Sequence, residues 1–264
     1  MAQRRGLVMG VVNVTPDSFS DGGRHLDPEA AVAHGRALAA AGADVVDVGG
    51  ESTRPGADEV PEDEERARVV PVVEALAPHV RVSIDTRKAG VAEAAVAAGA
   101  TLVNDVSASL HEVAAAHGVG WVAMHMLGAP KTMQRDPRYD DVVAEVAAFL
   151  VERADRARGA GVGEVWIDPG IGFGKTAAHN LALLARLDVL VATGHPVLVG
   201  TSRKRFLGAL LAEADGVAAP VGTDDRLEGS VATAVWAFRS GAAMVRAHDV
   251  AATVAAARAA GVRL

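Results

Sequence analysis

Val165-Trp-Ile-Asp168-Pro-Gly-Ile-Gly-Phe-Gly-Lys175 runs from three apolar residues into a carboxylate, a proline and a loop holding three glycines. Pro169 has no amide to give a sheet ladder, so Asp168 stands at the end of a strand rather than inside one. Gly170, Gly172 and Gly174 let the backbone approach whatever that carboxylate meets. A buried strand delivering one charge to a ligand site is one reading, and a helix N-cap on a tight turn is the other. The first gains weight because the same pattern, an apolar strand followed by a polar residue, recurs along the whole chain.

Segments rich in β-branched residues recur at Leu7 to Asn13, Asp44 to Val48, Arg81 to Asp85, Thr101 to Asp105, Gly120 to His125, Glu164 to Asp168, Pro196 to Gly200 and Ala242 to Arg246. Alanine-rich stretches with helical periodicity separate them, at 28–41, 62–77, 88–98, 109–117, 140–160, 177–192, 203–212 with 224–239, and 249–260. Gly42, Gly99, Gly118, Gly161, Gly194 and Gly241 each fall where a helical pattern stops, as helix C-caps do. Strand and helix alternate with short connections, which predicts parallel strands joined by right-handed crossovers. Eight nearly equal units in 264 residues favour an α/β fold of the single (β/α)8 TIM barrel kind over an open doubly wound sheet, since such barrels run to about 250 residues. One domain, residues 1–264, is expected, with the active site at the C-terminal ends of the strands.

Composition narrows the function. Half of the residues are hydrophobic but only 3% are aromatic, so the core must be built from Ala, Val and Leu, which suits helices packed on a parallel sheet. Cysteine is absent, which removes disulfides and thiolate metal sites and fits a reducing compartment. A net charge of −7 argues against nucleic acid or an anionic membrane as partner. Arg4-Arg5 and the apolar run Leu7 to Val12 superficially resemble a secretory signal, but the run is short and ends at Asn13, so it reads as the first strand. No apolar run reaches the roughly 18 residues of a membrane span. A soluble, cytoplasmic protein is expected.

The strand ends read Asn13; Asp47 and then Gly49-Gly-Glu51-Ser-Thr-Arg-Pro-Gly56; Asp85; Asn104-Asp105; His125; Asp168; Thr201-Ser-Arg-Lys204; and Arg246 with His248. The opposite ends read as Gly, Ala and Pro. One polar strand end is an ordinary terminus, but eight on one rim point to a site. Asp85, Asn104 and Asp168 could pair with the amino and ring N–H groups of a flat heterocycle such as a 2-aminopyrimidinone; alternatively, the carboxylates pair with arginines of neighbouring loops. Ser202-Arg-Lys-Arg205, Arg246 and His248 gather cations after the seventh and eighth strands, the usual anion position in this fold. The alternative for Arg203 and Arg205 is that they are merely solvated. Two long loops, 14–23 and 49–61, carry the glycine and proline of mobile lids, and Phe19 is an apolar residue at a polar loop tip. The acidic run Asp58 to Glu65 reads as the solvated first turn of the second helix. His111, His117 and His179 lack metal-ligand spacing.

The segments Met9 to Gly23, Gly49 to Gly56, Ser83-Ile-Asp-Thr86, Val103-Asn-Asp-Val-Ser107, Asp168 to Lys175, Gly200-Thr-Ser-Arg-Lys204 and Val245-Arg-Ala-His-Asp-Val250 together resemble the dihydropteroate synthase family, over a match from Leu7 to about Ala260. The resemblance implies a homodimeric (β/α)8 barrel that joins 6-hydroxymethyl-dihydropterin diphosphate to p-aminobenzoate, in folate biosynthesis, and is a target of sulfonamides. It implies pterin contacts at Asp85, Asn104, Asp168, Lys204, Met124 and Phe173, and diphosphate contacts at Asn13, Arg246 and His248, with Mg²⁺ beside Asn13. It places p-aminobenzoate near Thr53, Arg54, Pro55, Phe19 and Ser202. Asp85, Lys204, Phe19 and Asp168 are then the candidate catalytic residues, acting by electrostatic stabilisation of a cationic pterin rather than by acid–base work. This sequence departs from the family pattern at Ala108, where Gly is common, at Thr201, where Ala is usual, and at Ala247, where Val is usual and where packing beneath the anion site could loosen. Two alternatives compete: a methyltetrahydrofolate-dependent methyltransferase, which has no need of the cations at Ser202 to Lys204 and Arg246 to His248, and a catalytically silent pterin-binding paralogue, which tends to lose loop or anion residues that are present here.

Overall fold

The computed structural model describes residues 5–15, 27–52 and 57–264. Eight strands form one parallel sheet: β1 (Leu7–Asn13), β2 (Val45–Gly49), β3 (Arg81–Asp85), β4 (Leu102–Asp105), β5 (Gly120–Met124), β6 (Val165–Asp168), β7 (Leu198–Gly200) and β8 (Met244–Ala247). Their hydrogen-bonded order is β6-β5-β4-β3-β2-β1-β8-β7. The two ends meet where Ile167 bridges Val197 and its N–H donates to Pro196 O at 3.1 Å, so the barrel is nearly closed. This seam is thin because Pro196 has no N–H and β7 is only three residues long.

Around the barrel lie α1 (Pro28–Ala40), α2 (Glu62–Leu76), α3 (Ala89–Ala97), α4 (His111–His117), α5 (Val142–Gly159), α6 (Ala177–Ala185), α7 (Leu187–Val191), α8 (Arg205–Ala214), α9 (Leu227–Arg239) and α10 (Val250–Ala259). The expected helix over 177–192 is two, because Arg186 leaves helical geometry at φ −114° and ψ 35°. All six glycines expected to end helices have positive φ, from 65° at Gly118 to 113° at Gly99. Asp27 and Asp141 cap α1 and α5 by accepting backbone N–H groups, and Thr176 with His179 forms a capping box on α6.

Strand alternation sorts the core into two parts. Met9, Val45, Leu102, Val122, Trp166, Leu198 and Met244 point inward and fill the lumen, so the barrel is plugged and not a pore. Val8, Val46, Val82, Ile84, Val103, Ala123, Ile167, Val199 and Val245 point outward and pack with the helices. Burying each such side chain contributes about 1.5–3 kcal/mol, and the small alanines let helices lie close to the sheet.

The N-terminal rim is not apolar, contrary to the expectation from its Gly, Ala and Pro. Arg81 bonds Glu164 through two nitrogens, at 3.0 and 2.7 Å, and Arg5 bonds Asp44 at 2.7 Å. Polarity therefore does not distinguish the two ends; burial and convergence do. Among the described residues no helix is long and apolar enough to cross a membrane.

Candidate active site

Two residues beyond the apolar plug, the same alternation points Asp47, Asn104, Met124, Asp168, Gly200 and Arg246 inward, and Asp85 joins them from β3. Here the polar groups meet. Arg246 donates from Nε to Asp47 Oδ2 at 2.6 Å and from an Nη to Asp85 Oδ2 at 2.7 Å. Asn104 Nδ2 donates to the same Asp47 oxygen at 2.9 Å. Asp47 Oδ1 and Asp85 Oδ1 are buried without a hydrogen-bond partner. Burial raises the Asp85 carboxyl to about 7, with Arg246 pulling it back and Asp47 and Glu65 pushing it further. The arginine-pairing alternative therefore holds for Asp85, although the arginine comes from a strand and not from a loop.

Asp168 accepts the Gly170 N–H at 2.7 Å, so the tight turn is present, but it caps no helix, since α6 begins at Ala177. Its carboxyl is raised by burial and opposed chiefly by the Lys204 charge. Lys204 donates to Ile171 O and holds Nζ 4.2 Å from the Phe173 ring centroid, a cation–π contact. Desolvation brings its ammonium down to about 8. Met124, 4% exposed, pairs in register with Asp168 and supplies an apolar wall.

The glycine loop needs its glycines. Gly170 has φ +63°, and a Cβ there would stand 1.9 Å from His125 O; at Gly174, with φ +61°, it would stand 2.4 Å from Leu127 O. Lys175 pins this loop from below: its buried Nζ lies 2.9 Å from His125 Nδ1 and donates to His125 O, Gly170 O and Phe173 O at 3.3, 3.1 and 3.0 Å. Burial brings Lys175 down to about 7 and His125 to about 3, so the imidazole beside the lysine is neutral. Sequence reasoning gave neither residue a part, because a lysine after a glycine loop looks the same whether buried or solvated. Asp47 had a usable signal: a carboxylate inside Val45-Val46-Asp47-Val48 is 0% exposed and must have partners.

Of the residues expected to meet an anion, Asn13 ends β1 half-buried, in register with Gly49. Ser202 Oγ accepts the His248 N–H at 3.1 Å and lies 3.0 Å from its Nδ1. Arg203 is not simply solvated. It adopts φ +59° and bonds Asp249 at 3.1 and 2.7 Å, whereas Arg205 is exposed. The acidic run also divides. Glu62, Asp63 and Glu64 are exposed, but Glu65 is 1% exposed and accepts from Thr86 Oγ1 and Lys88 Nζ, because the turn carrying it faces the β3 end. Of the three departures, Ala108 sits at φ +51°, Thr201 Oγ1 accepts from Thr233 Oγ1 at 2.8 Å, and Ala247 is buried on the strand face opposite Arg246 rather than beneath the anion site. Phe19, Thr53, Arg54 and Pro55 lie outside the described residues.

The barrel is plugged below and gathers three carboxylates, an amide, an arginine and a lysine in its upper layer. The family model described as pterin binding enzyme matches residues 9–248. The chain is 51% identical to the dihydropteroate synthase of Mycobacterium leprae, over 96% of this chain and 92% of that one. It superposes on the Xanthomonas albilineans dihydropteroate synthase bound to 4-aminobenzoic acid with a TM-score of 0.88 at 50% identity, covering 97% and 92% of the two chains. The Yersinia pestis enzyme in complex with a sulfonamide drug gives 0.89 at 46% identity, with coverages of 97% and 94%. The chain belongs to the dihydropteroate synthase family of pterin-binding enzymes.

Proposed function

We propose that this transferase condenses 6-hydroxymethyl-7,8-dihydropterin diphosphate with p-aminobenzoate, and that the upper layer of the barrel divides the two ends of the pterin substrate between its residues. The observation that carries this is the pair of buried carboxylates, Asp85 with an unpartnered Oδ1 and Asp168 on the glycine loop, at one barrel mouth with Asn104, Arg246 and Lys204. Buried acceptors without donors lose free energy until a ligand supplies N–H groups. Asp85, Asn104 and Asp168 take the edge of the heterocycle, Met124 and Phe173 its faces, and Lys204 its acceptor atoms. Arg246, His248 and Asn13 take the diphosphate, while Ser202 with Thr53, Arg54, Pro55 and Phe19 takes p-aminobenzoate.

The chemistry is dissociative. The bond from the exocyclic methylene to the diphosphate oxygen breaks, and the electron pair leaves with the diphosphate towards Arg246 and His248. The resulting cation is conjugated with the ring, where Asp85 and Asp168 oppose its charge. The aromatic amine then attacks the methylene and releases a proton. Asn13, at the end of β1, would hold a metal beside the diphosphate, which suits Mg²⁺ because it keeps most of its ligands as water and phosphate. When bound, Mg²⁺ would neutralise charge on the leaving diphosphate.

One domain, residues 1–264, carries all of this, and sulfonamides compete for the p-aminobenzoate end. A homodimer is supported by α9 and α6, where Trp236 is 53% exposed while its Nε1 donates to Leu184 O, and Leu181 is 42% exposed. The absence of cysteine supports a cytoplasmic setting.

The test is diphosphate release by purified protein with Mg²⁺ and the pterin diphosphate, with and without p-aminobenzoate. Amine-dependent release with dihydropteroate formed is expected. Pterin binding without product would instead favour the silent paralogue.

A further inference from the structure

We propose that Asp47 is a positioning residue for this reaction: one oxygen of its carboxylate fixes both the Asn104 amide and the Arg246 guanidinium, and so sets the heterocycle end of the site against its anion end. The proposal rests on the site reading above.

Asp47 is completely buried one layer above Val45, in register with Val11 of β1 and Ser83 of β3. Packing alone calls for an apolar side chain here, as at Val45, Val46 and Val48, because an acid buried without partners is costly. Its partners come from opposite directions: Asn104 on β4 and Arg246 on β8 both donate to Oδ2, at 2.9 and 2.6 Å. A carboxylate only accepts, so the Asn104 amide has one possible orientation, with Nδ2 towards Asp47 and its own oxygen turned elsewhere. Asn104 therefore faces a ligand as an acceptor. The guanidinium is held at Nε by Asp47 and at an Nη by Asp85, on the neighbouring strands β2 and β3, which fixes its plane. Without Asp47 the amide is free to flip and the arginine to swing onto Asp85 alone.

Asp47 also sets the charge of its neighbour. Asp85 faces Arg246 from β8, Asp47 from β2, Glu65 from α2 and Lys204 from beyond β7, and of these Asp47 and Glu65 disfavour its ionised form. Removing the Asp47 charge leaves Arg246 to pull Asp85 down, so ionisation of Asp85 should persist to lower pH.

The experiment compares wild type, Asp47→Asn and Asp47→Ala by steady-state kinetics in both substrates, by calorimetric binding of 6-hydroxymethylpterin, and by double-mutant cycles with Asn104→Ala and Arg246→Ala. Asp47→Asn preserves volume, so the test survives if the alanine variant does not fold. We expect kcat/KM for the pterin diphosphate to fall about 30-fold, as for removal of a coupled polar partner. We also expect KM for p-aminobenzoate to change less than about threefold, the acidic limb of the pH profile to move down in Asp47→Asn, and both cycles to be non-additive. Additive cycles, or equal losses for the two substrates, overturn the proposal. Asp168→Ala, run alongside, separates the two levels: if it keeps full pterin affinity the site reading itself fails, whereas lost affinity with additive Asp47 cycles overturns only the part assigned to Asp47.

Discussion

Arg246 of β8 reaches across the barrel mouth to Asp85 of β3, its Nη 2.7 Å from Oδ2, although 161 residues separate them in sequence. The same guanidinium holds Asp47, so one cation balances two carboxylates at the place where a pterin and its diphosphate are proposed to meet. The arginine is engaged by the protein's own carboxylates; a diphosphate would compete with Asp85 for it and leave Asp85 to the heterocycle.

Arg246→Ala should therefore act twice. It strips a buried pair of carboxylates of their partner, which should cost about 3 kcal/mol of stability and be read as a lower urea midpoint. It should also weaken binding of the pterin diphosphate much more than binding of 6-hydroxymethylpterin, in calorimetry of the two ligands. Equal losses would count against the anion assignment.

Asp168→Ala removes an acceptor proposed to take two N–H groups of the ring. Hydrogen bonds to a charged group contribute about 1.5–3 kcal/mol each, so 6-hydroxymethylpterin affinity should fall at least about 100-fold, while binding of diphosphate alone changes little. Calorimetry decides it, and affinity within a few-fold of wild type would mean that the pocket lies elsewhere.

The two shifted groups predict a narrow pH profile. Asp85 is raised to about 7 and must be ionised to accept from the ring, so kcat/KM for the pterin diphosphate should fall as pH drops through that value. Lys204 is lowered to about 8 and donates as an ammonium, so the rate should fall again as pH rises through that value. Both limbs belong to the coupled cluster rather than to single residues. For stability the sign reverses. The folded-state value of Asp85 lies above its unfolded one, so its contribution is present in acid and is lost as pH rises through about 7. A flat rate profile between pH about 5 and 9 would remove these residues from the reacting cluster.

Ala108 occupies the left-handed region at φ +51°, where a Cβ costs about 1–2 kcal/mol. Ala108→Gly should therefore stabilise the protein by about 1 kcal/mol, a rise in Tm of roughly 3 °C for a chain of this size, with kcat unchanged. A lower Tm by calorimetry would show that the backbone there is not strained.

The alternation of apolar strand and alanine-rich helix was legible because each element is marked locally: β-branched residues, capping aspartates and terminal glycines act within a few residues of themselves. Strand limits fell within two residues of the expected ones, and the six glycine caps all have the expected φ. Asp85, Asn104 and Asp168 were legible as a group because a parallel barrel carries every strand end to one rim, whereas Lys204 read as one of the cations at the anion position and joined them only through the family resemblance. What misled was local reading of charge. Glu65 looked solvated and is buried against Thr86 and Lys88, the N-terminal rim looked apolar and holds Arg81 with Glu164, and Lys175 and His125 had no assigned part although they brace the glycine loop.

The sequence by itself determined the order of elements, the barrel, the rim that bears the chemistry and the family. Only the tertiary structure decided which charge meets which: that Arg246 divides itself between Asp47 and Asp85, that Asn104 turns its amide nitrogen to Asp47, and that Lys204 lies over Phe173. The reason is physical. Backbone preference and hydrophobic period are written in near neighbours, whereas the partner of a buried charge is chosen by the closure of the sheet, which brings together side chains as far apart as the 199 residues between Asp47 and Arg246.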